Sequence, residues 1–144
     1  MKRIIMIEDN EDHALLIRRG VETPECAVAH YADGIQALKA LEQIKNSADR
    51  PDLILLDLQL PGMNGFDIMK AIKNISFIAN VPVVMLTTSA RPEEIEQAYQ
   101  LGARGYLVKS DDFPVLMAKL KSVKDYWFSV VESPYRFQTP VVNP

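Results

Sequence analysis

Glu8 and Asp9, Asp57, Thr87 and Lys109 share one arrangement: each follows directly on a short, largely apolar run, at residues 4–7, 53–56, 81–86 and 105–108. Three acids, a hydroxyl and an ammonium are the parts of a site that handles charged oxygen. Carboxylates crowded together raise one another's pKa, and the arrangement is unfavourable without a counter-ion. Magnesium answers that need, because it is hard, prefers oxygen ligands and keeps several of its waters. Asp9 and Asp57 are the expected direct ligands, Glu8 binds directly or through a water, and the backbone carbonyl of Gln59 is a further ligand. Phosphoryl transfer asks for an in-line nucleophile and neutralisation of the phosphoryl oxygens. Asp57 fits the nucleophile and would become an aspartyl-phosphate. Magnesium would then hold one oxygen, the Lys109 ammonium a second, and the Thr87 hydroxyl with nearby amides a third.

Such a site exists only if the chain brings these positions together. The apolar runs at 4–7, 27–31, 53–56, 81–86 and 105–108 read as strands, bounded mostly by Pro, Gly or Asp. Helix patterns lie between and after them at 11–21, 34–44, 65–73, 92–101 and 114–131. Asn10 and Asp33 are N-caps, and Pro92 sits in a first turn. Strict alternation of strand and helix implies a parallel sheet covered on both faces, and a run such as Leu53-Ile54-Leu55-Leu56 suits a strand buried on both sides. The expected fold is α/β, a (βα)5 doubly wound parallel sheet with an extended last helix, flavodoxin-like if its strand order is 2-1-3-4-5. In such sheets, sites form beyond the carboxyl ends of the strands. With that order the first and third strands are neighbours, and the three carboxylates converge.

The rest of the chain bounds the partners. Its 144 residues suit one domain, expected over 1–132, followed by a Pro-rich tail over 133–144. Sixteen basic against nineteen acidic residues give a net charge of −3, so no basic surface offers nucleic acid the phosphate contacts it needs. Cys26 is the only cysteine, in keeping with a reducing compartment. The apolar stretch at 4–7 is too short for a secretory signal and no later one approaches a membrane span, so the expected location is the cytoplasm. His13, His30 and Cys26 read as structural residues.

The motifs Ile-Glu-Asp-Asn (7–10), Asp-Leu-Gln-Leu-Pro-Gly-Met-Asn-Gly (57–65), Pro-Val-Val-Met-Leu-Thr-Thr-Ser (82–89), Gly-Ala-Arg-Gly-Tyr (102–106) and Val-Lys (108–109) stand in one order. Together they resemble the response-regulator receivers of two-component systems, over about residues 2–125. That resemblance implies that Asp57 is the phosphoacceptor for a histidine kinase, that Glu8 and Asp9 hold magnesium, that Thr87 and Lys109 sense the phosphoryl group, and that Tyr106 is a rotamer switch. Two positions depart from the pattern: Ser110 follows Lys109 where many receivers have Pro, and Thr88 replaces a small residue. With Asp-Tyr-Trp-Phe (125–128), these features look closest to the small single-domain regulators that partner phytochrome-type histidine kinases. The implied protein is a regulated binding module rather than an enzyme, with a protein target as its output. Apolar residues on several faces of the segment 114–131 point to a homodimer formed through it, with Phe128 buried against its symmetry mate and Tyr135 and Phe137 extending the patch.

Three other readings fit less well. A flavin-binding protein needs an uncharged phosphate loop after its first strand, where this chain has Glu-Asp-Asn-Glu-Asp. An aspartyl-phosphate phosphatase needs a second Asp two residues beyond the nucleophile, where Gln59 stands. A phosphorylation-dead module would have a broken acidic triad, and this one is intact.

Overall fold

The computed structural model of the chain describes residues 1–133. Apart from its first residue, the tail expected at 133–144 lies outside the described residues, as do Tyr135 and Phe137. Five strands, β1 (Lys2–Ile7), β2 (Cys26–Tyr31), β3 (Leu53–Leu56), β4 (Val83–Thr87) and β5 (Gly105–Val108), form one parallel sheet in the order β2-β1-β3-β4-β5. The helices are α1 (Glu11–Val21), α2 (Gly34–Glu42), α3 (Gly65–Lys73), α4 (Pro92–Gln100) and α5 (Phe113–Asp125). The expected fold and strand order are both present.

Strand residues alternate between two cores, as a pleated strand requires. Ile5, Ile7, Ile54, Leu56, Val83 and Met85 face one cluster, with Leu38 and Leu41 of α2, Ile68, Met69 and Ile72 of α3, and Ala98 of α4. Ile4, Met6, Leu53, Leu55, Val84 and Leu86 face the other, with Ala14, Ile17 and Val21 of α1 and Leu116, Leu120 and Val123 of α5. Burial on both faces explains why β3 contains no polar residue.

Four of the five helices, all but α4, start where short polar side chains take up their free N–H groups. Asn10 accepts from the His13 amide, Asp33 from those of Ile35 and Gln36, Asn64 from that of Asp67, and Asp112 from that of Val115. β4 begins at Val83 rather than at residue 81, because Pro82 has no N–H to give the ladder and contributes only its carbonyl, to the Ile54 amide at 3.0 Å. The largest difference from expectation lies in the last helix. Its α-winding ends at Asp125, and Tyr126–Val130 continue as a π turn closed by the Val131 amide on the Tyr126 carbonyl at 3.0 Å. Through this wider turn the adjacent Trp127 and Phe128 both pack against the α1/α5 cluster.

Register sets the site. Ile7 pairs with Leu56 and Thr87 with Val108. The Asp57 amide reaches the Ile7 carbonyl at 3.1 Å, and the Lys109 amide reaches the Thr87 carbonyl at 2.7 Å. Glu8, Asp57 and Lys109 are thus each the first residue past their strand. Gly65 fixes the chain beyond Asp57: a Cβ added there would lie 2.5 Å from the Asp57 carbonyl oxygen and 2.7 Å from the Leu58 Cα. Both are backbone atoms, which cannot turn aside as a side chain can. Gly65→Ala is therefore expected to lower the unfolding free energy by about 1–3 kcal/mol, the usual range for overpacking, as measured by urea denaturation.

Candidate functional site

At the carboxyl edge of the sheet, side chains from the ends of β1, β3 and β5 meet in a shallow pocket of about 260 Å³. Glu8 and Asp57 are only 1% and 6% exposed, while Asp9 is open to solvent. One carboxylate oxygen from each of the three lies within 4.8 Å of the others. Lys109 reaches across the strand ends into this cluster. Its Nζ donates to Glu8 Oε1 at 2.5 Å and to Asp57 Oδ2 at 3.0 Å, and its side chain is only 7% exposed.

The charges do not balance. Among the described residues, Lys109 supplies the ion pairs to Glu8 and Asp57, one positive charge against three carboxylates. The strain shows at Glu8, whose pKa is raised to about 7. Burial is the main cause, Asp57 adds to it, and the Lys109 ammonium opposes it. An all-oxygen cluster with two negative charges in excess fits a hard divalent cation.

Around the cluster, the Gln59 amide donates to Asp57 Oδ1 at 3.2 Å, and Gln59 Oε1 accepts from the Thr88 hydroxyl at 3.3 Å. Gln59 and Thr88 thereby link the loops after β3 and β4 at the rim of the pocket. Thr87 is fully buried, and its hydroxyl oxygen accepts from the Ser89 amide at 3.4 Å; the hydroxyl lining the pocket is that of Thr88. Tyr106 packs its ring against the core cluster of α2, α3 and α4 and donates its hydroxyl to the Ser89 carbonyl at 3.0 Å. Burial raises the pKa of that phenol. The Ser89 hydroxyl donates to Glu94 on α4. The Lys109–Ser110 bond is trans.

Two residues that read as structural in the sequence border the site. His13 lines the pocket, with its Nδ1 2.9 Å from Lys109 Nζ, and His30 Nε2 lies 2.6 Å from the Glu8 carbonyl oxygen. The sequence does hold a sign for His13. Asn10 caps α1, so His13 is the third helical residue, and side chains on a helix lean toward its N-terminus, here toward the strand ends.

A five-stranded parallel sheet in this order, with acids and a lysine gathered at its carboxyl edge, defines a phosphorelay-type receiver. The response regulator receiver domain family matches residues 4–121, and the chain belongs to that family. It is 33% identical to the probable methanogenesis regulatory protein FilR2 of Methanothrix harundinacea, over 91% of this chain and 86% of that protein. It is 31% identical to the response regulator Rcp1 of Synechocystis, over 92% of this chain and 93% of Rcp1. The crystal structure of the Mn(2+)-bound form of Rcp1 superimposes with a TM-score of 0.81, at 30% identity over 93% and 99% of the two chains. That of the phosphorylated cyanobacterial phytochrome response regulator RcpA superimposes with a TM-score of 0.84, at 34% identity over 92% of this chain and 98% of RcpA. No helix among the described residues is long and apolar enough to cross a membrane.

Removing the ammonium should expose the imbalance. Lys109→Met leaves the buried Glu8 and Asp57 facing each other, and a broken buried ion pair costs about 3–5 kcal/mol. In metal-free buffer its chemical denaturation midpoint is expected to fall accordingly, and added manganese should restore part of the loss, as any ligand of the folded state does.

Proposed function

We propose that this chain accepts a phosphoryl group on Asp57 from a histidine kinase, in the presence of magnesium, and converts its phosphorylation state into a change of protein contacts. One observation carries this reading: three carboxylates and one lysine, drawn from three strand ends, converge on a single shallow pocket. An Asp57 carboxylate oxygen forms the new P–O bond while the P–N bond of the kinase's phosphohistidine breaks, and the leaving imidazole nitrogen keeps the electron pair. Glu8, Asp9, Asp57 and the Gln59 backbone carbonyl would hold magnesium, which supplies charge neutralisation to the phosphoryl oxygens. Lys109, already on Asp57 Oδ2, exchanges that oxygen for a phosphoryl oxygen as Asp57 loses its charge.

Thr87 and Tyr106 give this event a route outward. Thr87 reaches the phosphoryl group by leaving the Ser89 amide, and Ser89 is also the residue that holds the Tyr106 hydroxyl. A rearranged loop after β4 frees Tyr106 to turn, and the surface of α4, β5 and α5 changes with it. The same Ser89 is engaged with Glu94, so its hydroxyl is not placed to direct a water at phosphorus, which favours a long-lived aspartyl-phosphate.

RcpA's description as a phytochrome response regulator supports a phytochrome-type kinase as the donor. Incubation with acetyl phosphate should add one phosphoryl mass to the chain with magnesium and none with chelator. Asp57→Asn should add none under either condition; a hydroxylamine-labile phosphoryl group on that variant would move the acceptor elsewhere.

The output surface we assign is a homodimer contact on the last helix. A groove of about 850 Å³ runs between β5 and α5 and on to Tyr126 and Trp127. Val115, Tyr126 and Val130 are exposed at 43%, 48% and 68%. Phe128, expected on this contact, instead packs into the core with Lys2 Nζ 5.7 Å from its ring centre, which leaves the contact to the other three. Light scattering at micromolar concentration should give twice the 16.2 kDa chain mass, and Val130→Glu should halve it. A monomer in the wild type with beryllofluoride bound would assign these apolar residues to a different protein.

A further inference from the structure

An ammonium has three N–H donors and no acceptor. In this structure Lys109 has three acceptors within hydrogen-bonding distance: Glu8 Oε1 at 2.5 Å, Asp57 Oδ2 at 3.0 Å and His13 Nδ1 at 2.9 Å. The Lys109 side chain is 7% exposed, so the three contacts account for the group in full. Because a lysine ammonium can only donate, His13 Nδ1 must accept, and a neutral His13 then carries its proton on Nε2. His13 in turn is fixed from the helix side: its backbone amide donates to Asn10 Oδ1 at 3.0 Å, which sets the first turn of α1 against the strand ends.

We infer that His13 is a positioning residue for the receiver reaction, one of two anchors that hold the Lys109 ammonium while its third bond changes partner. The inference rests on the reading of Asp57 as phosphoacceptor. When Asp57 takes up a phosphoryl group its carboxylate charge disappears, and the Lys109 N–H directed at Oδ2 transfers to a phosphoryl oxygen. Glu8 and His13 keep their own N–H groups through that exchange. Two fixed acceptors leave the ammonium with one direction for its third donor, toward Asp57. With Glu8 as sole anchor the ammonium rotates and tilts about one bond, and the donor is aimed only part of the time. Alignment of a charged donor at the position where phosphoryl oxygen arrives is a large part of what the residues around the Asp57 nucleophile contribute.

The inference is tested with the 144-residue chain, magnesium and acetyl phosphate. His13→Ala is expected to slow the limiting rate of Asp57 phosphorylation about tenfold, in the range for one lost hydrogen bond to a charged group, with a smaller effect on the concentration of acetyl phosphate needed for half-maximal rate. His13→Gln, which offers an amide oxygen as acceptor, should recover most of the rate, and His13→Leu should not. Nitrogen-15 NMR of the unphosphorylated wild type should show the His13 ring with Nε2 protonated and Nδ1 shifted by an accepted hydrogen bond, a shift that Lys109→Met should abolish and that a merely space-filling histidine has no reason to give. Equal rates for wild type and His13→Ala, or a protonated Nδ1, overturn the inference while leaving Asp57 as acceptor. A wild-type chain that gains no phosphoryl group overturns the receiver reading itself, and the role of His13 with it.

Discussion

Like charges cannot be buried side by side without compensation, and the site is organised around that constraint. Glu8 and Asp57 end two neighbouring strands whose register, Ile7 opposite Leu56, leaves their side chains no choice but proximity. Asp9 adds a third charge from the solvent side. One ammonium from the end of β5 touches both buried members. The short β5 and its ladder to β4 deliver that ammonium, and His13 Nδ1 on α1 lies 2.9 Å from it. A parallel sheet suits the purpose because all its strands end at the same edge, so residues far apart in sequence arrive together.

In the loop after β4, one residue holds three neighbours. Ser89 gives its amide to Thr87, its carbonyl to Tyr106 and its hydroxyl to Glu94. Strand end, edge strand and α4 therefore meet at one backbone position. A change in what Thr87 binds alters all three contacts at once. A packed interior with few voids favours such discrete rearrangements over gradual ones.

The strands, the helices and the acids at the strand ends were legible in the sequence because they depend on local signals: apolar runs, capping residues, and charged residues placed one step past each run; the strand order rested on the likeness to flavodoxin-like sheets. Asp57 is conspicuous since four apolar residues precede it. Other features depend on orientation, which spacing does not convey. Thr87 occupies the expected position, yet its hydroxyl is turned to Ser89, and Thr88 takes the rim. His13 and His30 lie 17 residues apart in sequence and show no ligand spacing; the cap at Asn10 hints at His13, but only the pairing of β2 with β1 reveals that His30 reaches the Glu8 carbonyl. The end of the last helix was hidden for a related reason. A π turn carries no composition of its own, and Trp127 next to Phe128 fits an α-helical stripe only by half.

The span of the lysine contacts has a consequence for how the molecule is made. Lys109 lies 101 residues after Glu8 and 52 after Asp57. On a ribosome the two acids are synthesised long before their counter-charge exists, and β1, β2 and β3 emerge while the edge is still unbalanced. Contacts of such long separation are slow to close. The charge pair therefore forms only after β5 has been made, and a chain released before β5 would carry the acids without their ammonium. In this fold the site is complete only once β5 has joined the sheet.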